Sequence, residues 1–106
     1  MNLNKLMKQA QKMQEEMSKA QAELEEKTVE VQAGGGTVTV VANGAGEVIS
    51  IKIAKEIVDP EDVEFLEEVV LSGVKGAIEQ GKALATSEMS KITGGMGMPG
   101  MPGLGL

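Results

Sequence analysis

Cysteine and histidine are both missing from this chain of 106 residues. Without cysteine there is no disulfide, no thiol nucleophile and no thiolate metal site. Without histidine the usual general base and the commonest imidazole ligand are gone as well. Tyrosine and tryptophan are absent, and Phe65 is the one aromatic residue. Catalysis would have to rest on Lys, Asp, Glu, Ser or Thr, and no grouping of these suggests a prepared site. The chain therefore reads as a non-enzyme with no cofactor and no metal. Proteins that bind single strands stack bases on several aromatic rings, so a lone Phe65, expected in the core, argues for duplex instead. Arginine is also missing, and all 10 basic residues are lysine. Lysine is a point charge without the planar fork that reads guanine edges, so any nucleic-acid contact should favour phosphate over sequence. No run approaches the ~18 apolar residues of a membrane span, and no apolar stretch follows the first lysines as a secretory signal requires. The expectation is a soluble, cytoplasmic protein with no membrane partner.

What is present is sharply segregated. The net charge of −6 argues at first sight against a polyanionic partner. Yet Lys5, Lys8 and Lys12 precede the first acid, Glu15, while Asp59, Glu61, Asp62, Glu64, Glu67 and Glu68 cluster with no base among them. Such segregation can present a basic surface on an acidic protein, with its reach limited by a Debye length of ~8 Å at physiological salt. Leu3, Leu6, Ala10, Met13, Met17, Ala20 and Leu24 recur at steps of three and four, a heptad stripe that predicts a helix over 3–27. Its lysines come first and Glu15, Glu16, Glu23, Glu25 and Glu26 last, the order the helix macrodipole least favours. A local rule broken without local gain points to a partner surface.

Alternation then predicts three antiparallel strands over 28–33, 37–42 and 47–53. Val29 and Val31, then Val38 and Val40, then Ile49, Ile51 and Ile53 would line one face. Gly34-Gly35-Gly36 and Asn43-Gly44-Ala45-Gly46 supply the turns. The triple glycine joins two strands and so is not a phosphate loop, which passes from strand into helix. Asp59-Pro60-Glu61-Asp62 predicts a helix start with Asp59 as cap, and helical spacing continues over 60–92. Gly73, Ala77, Gly81 and Ala85 fall on one row of it, either for close approach of another backbone or as a kink. The charge-free stretch 94–106 reads as a flexible tail after a single domain over 1–93. The two helices would span ~37 and ~50 Å against ~20 Å for each strand, so they overhang the sheet, and a homodimer with protruding helical ends follows.

The segment Leu6-Met7-Lys8-Gln9-Ala10-Gln11-Lys12-Met13-Gln14-Glu15-Glu16-Met17 closely resembles the opening helix of the YbaB/EbfC family of bacterial nucleoid-associated proteins. Gly34-Gly35-Gly36-Thr37-Val38-Thr39-Val40, Asn43-Gly44 and the Gly/Met/Pro ending extend the resemblance over nearly the whole chain. It implies an α+β fold with an α-β-β-β-α protomer, a tight tweezers-like homodimer, duplex DNA as partner, and a role in nucleoid organisation or gene expression. The later helix of some members carries arginine, where this chain has Lys75, Lys82 and Lys91.

Lys5, Lys8, Lys12 and Lys19 fall within an arc of ~60° on the side away from the apolar stripe. With Gln9, and with Lys75 and Lys82 of the later helix, they are the candidate DNA-binding residues. Lysines would neutralise phosphates, and Gln9 and Gln11 would hydrogen-bond phosphate or base edges. Leu6, Met13, Met17 and Leu24 are the candidate dimer contacts. Two other readings stay open. The strip can be a solvated face, or two copies of the helix can pair antiparallel and so explain the charge order. The alternative function is an acidic dimeric adaptor for a replication or recombination protein, without direct DNA contact.

Overall fold

The computed structural model describes residues 2–95, in the order α1 (Leu3–Leu24), β1 (Thr28–Ala33), β2 (Val38–Asn43), β3 (Val48–Ile53), a single 3-10 turn (Lys55–Ile57) and α2 (Val63–Gly95). This is the expected α+β arrangement of helix, three antiparallel strands and helix. The sheet order is β1-β2-β3, with Val31 opposite Val40 and Val40 opposite Ile51. Period-two alternation works as anticipated on β2, where Val38, Val40 and Ala42 are fully buried. Val29, Val31 and Ala33 of β1 pack against them half-buried.

α2 lies across β1 and β2, and its glycines explain how closely. A Cβ on Gly73 would come within 2.9 Å of Val40 Cγ2, and one on Gly81 within 2.4 Å of the Asn43 carbonyl oxygen. Ala77 between them is fully buried. The row of small residues therefore seats the helix on the sheet, and α2 runs from Val63 to Gly95 with no break at Gly73.

Four expectations need correction. The helix does not begin on Asp59: that carboxylate accepts from the Glu61 N–H in a preceding turn, and Asp62 Oδ1 accepts from Phe65 N at 3.3 Å as the cap. Phe65 is not in the core but 45% exposed, because it lies one turn before the first buried α2 residue, Val69. Helical geometry also continues through Gly94 and Gly95, since glycine weakens a helix by about 1 kcal/mol without forbidding it. On β3 the regular alternation fails. Val41 pairs with Ser50 but Ala42 with Val48, so Ile49 is an extra residue in a bulge, and all six residues of the strand are exposed. The expected tail from residue 96 lies outside the described residues.

Candidate nucleic-acid interface

α1 is held at one end only. Asn2 Oδ1 accepts from Lys5 N at 3.2 Å and caps its start, where no acid complements the dipole. At the other end Gly44 N donates to the carbonyls of Leu24 (2.9 Å) and Lys27 (3.0 Å). Leu24 is buried against Gly44, whose missing side chain leaves its space. Asn43, 2% exposed, ties this junction together. Its Nδ2 donates to the Glu25 carbonyl and to Glu47 Oε1, and its Oδ1 accepts from Ala45 N and Glu47 N. Across the junction Lys27 Nζ donates to Glu88 Oε1 of α2 at 2.9 Å, with Lys91 4.0 Å from the same oxygen. The Lys27 hydrogen bond holds the Glu88 carboxyl below its ordinary value, helped by the charges of Lys27 and Lys91 and opposed by partial burial.

From that base α1 becomes progressively bare. Met13, Glu16, Met17 and Ala20 are half-buried on the side that meets α2, whereas residues 2–12 are exposed on every side. The apolar stripe thus packs only in its second half, and Leu3, Leu6 and Met7 are 67%, 49% and 56% exposed. The molecule extends 72 Å along its longest axis but only 29 and 16 Å across. Lys5, Lys8, Lys12 and Lys19 are all exposed and form a strip ~21 Å long on the face turned away from α2. Over that length duplex DNA carries about 12 phosphates. Gln9 and Gln11, also exposed, flank the strip on either side.

The remaining candidates fall elsewhere. Lys75 and Lys82 are exposed on α2 and do not join the α1 strip. Of the candidate dimer contacts, Leu6 is open, Met13 and Met17 are half-covered, and Leu24 is already consumed inside the protomer. The acidic cluster at the start of α2 is separated from Glu88, at the arm's base, by ~30 Å of helix from Glu68. That is several Debye lengths at physiological salt. Sequence reading missed the anchor made by Asn43, Lys27 and Glu88. Lys27 and Glu88 are 61 residues apart, so no local pattern could have joined them.

Residues 1–96 match the model of the YbaB/EbfC DNA-binding family. The chain belongs to that family. Across its length it is similar to a nucleoid-associated protein of Ruminiclostridium cellulolyticum, 55% identical over 97% of this chain and 88% of the relative. A nucleoid-associated protein of Alkaliphilus metalliredigens is 52% identical over 94% of this chain and 88% of its own. The fold also matches the crystal structure of an uncharacterized protein from Helicobacter pylori, with TM-score 0.61 and 22% identity over 74% of this chain and 90% of that one. The family is a DNA-binding one and not a family of enzymes.

Proposed function

We propose that this protein is a bacterial nucleoid-associated protein that binds duplex DNA as a homodimer, through the lysines of its projecting first helix and with little sequence specificity. The observation that carries the reading is the exposed, acid-free strip of Lys5, Lys8 and Lys12 on the unpacked end of α1. These ammonium groups stand clear of the protein's negative body, and a projecting helix can lie along a phosphate backbone. Lys19 continues the strip, and Gln9 sits where it can donate to a phosphate or base edge. Membership of a DNA-binding family favours this over the adaptor reading. The names of the relatives support a nucleoid location, and the role proposed there is in nucleoid organisation or gene expression.

Salt titration tests it. If two arms each place three lysines on phosphates, log affinity should fall with log salt at a slope near −5, because each neutralised phosphate contributes about −0.9. Changing Lys5, Lys8 and Lys12 together to glutamate should abolish duplex binding while leaving the dimer intact. Equal affinity of the two proteins would discard the site.

A further inference from the structure

We propose that the chain's own segment 96–106 docks along the bare apolar stripe at the start of α1, formed by Leu3, Leu6, Met7 and Ala10. The stripe lies opposite the lysines, so the inference stands apart from the DNA reading. α1 and α2 leave the sheet from one place. Leu24, at the end of α1, packs on Gly44, and Gly81 of α2 meets the backbone of Asn43 in the same turn. Beyond the sheet, Ala85, Met89 and Ile92 of α2 are half-buried beside the half-buried Met13, Met17 and Ala20, so the two helices run antiparallel.

Their lengths do not match. From that turn α2 extends ~21 Å, from Gly81 to Gly95, and α1 extends ~32 Å, from Leu24 back to Leu3. The first ~11 Å of α1 therefore has no helix beside it, and burial on α1 ceases at Met13. At ~100° per residue Leu6 points the same way as Leu24, and Leu3 and Ala10 lie within ~60° of that direction. The face that meets α2 thus continues past the end of α2, where Leu3, Leu6, Met7 and Ala10 are all exposed.

Position, reach and chemistry identify the occupant. Residues 96–106 begin where α2 ends, beside the near end of the bare stripe. At ~3.3 Å per residue they span up to ~36 Å, about three times the length to be covered. The segment carries no charge, and its large side chains are Met96, Met98, Met101, Leu104 and Leu106. Met98-Pro99-Gly100 and Met101-Pro102-Gly103 repeat at a step of three and lead into Leu104. Three is the period of polyproline II, which sets such residues along one edge ~9 Å apart. Leu3 and Ala10, one heptad apart, are separated by ~10.5 Å along α1, so the two ladders nearly match. Unbranched methionines adapt to the remaining mismatch, and two prolines reduce the entropy lost on docking. The lysines point the other way, so an uncharged segment on this stripe leaves them free.

Paired cysteines test the contact. The chain has no cysteine, so two introduced thiols meet no competitor. Leu6→Cys with Met101→Cys should close a disulfide within one chain at least about fivefold faster than Lys8→Cys with Met101→Cys, because docking raises the local concentration at one face only. The tether reaches both positions, so equal rates would overturn the docking. A disulfide that links two chains would place the segment on another copy and overturn it as well. Hydrogen exchange reads the same contact without thiols. Changing Met98, Met101 and Leu104 together to aspartate in the full chain should speed exchange at the amides of Leu6 to Ala10 about threefold and leave β2 unchanged. Equal rates at those amides in the two proteins would overturn the inference.

Discussion

Asn43 and Gly81 carry more structural consequence than any lysine on the surface. Asn43 satisfies two backbone N–H groups and one backbone carbonyl while itself 2% exposed. Replacement by alanine should destabilise the protein by about 1–3 kcal/mol in urea unfolding, because the part-buried Ala45 and Glu47 N–H groups and the Glu25 carbonyl lose the side chain that links them. At Gly81 two effects compete. Alanine improves helix propensity by about 1 kcal/mol, but its Cβ would meet the Asn43 carbonyl, a backbone atom that cannot turn aside. Overpacking of this kind costs about 1–3 kcal/mol, so Gly81→Ala should be net destabilising in the same assay. Glu88 gives a pH signature. Its carboxyl is held below the ordinary 4.5, so the stabilisation is complete above that pH and is lost as pH falls through the lowered value. Unfolding curves of Glu88→Gln and wild type should therefore differ near neutrality and converge in acid.

α1 behaves as two elements joined end to end. Residues 13–24 share a half-buried face with α2, while residues 2–12 make no burying contact. An isolated helical stretch of that length is marginal in water. Amide exchange should be fast over the first turns of α1 and slow beyond Met17, and duplex DNA should slow the first turns. Asn2→Ala should accelerate exchange there by roughly fivefold, the loss of a cap worth about 1 kcal/mol, with no change in global unfolding. The existence and order of the elements were legible in sequence, because heptad spacing, alternation and turn glycines are local signals. The cap of α2 was misplaced by three residues, since Asp59 and Asp62 both accept a backbone N–H and only the observed chain path separates turn from helix. The exposure of β3 was not legible. A strand with Ile49, Ile51 and Ile53 reads as buried, and only the position of α2 over its neighbours leaves it bare.

At the scale of the whole molecule, the proposed binding of DNA by an acidic protein rests on distance rather than on net charge. The acidic cluster lies more than ~30 Å along α2 from the arm. Changing Glu61 and Glu68 to glutamine should scarcely alter duplex affinity near physiological salt, where the Debye length is ~8 Å. At about 10 mM salt, where it is ~30 Å, the same change should strengthen binding. Fluorescence anisotropy at the two ionic strengths checks this, and an equal effect at both would mean the acids lie close to the DNA.

The amino-acid sequence by itself determined the elements, the lysine strip and the family, because each rests on periodicity or on residues adjacent along the chain. Tertiary structure alone decided that Lys5, Lys8 and Lys12 stand on the unpacked half of α1, that Leu24 is used within the protomer, and that β3 is uncovered. Those facts depend on contacts between residues far apart in sequence, such as Gly81 against Asn43 and Lys27 against Glu88, whose geometry exists only once the helices have docked.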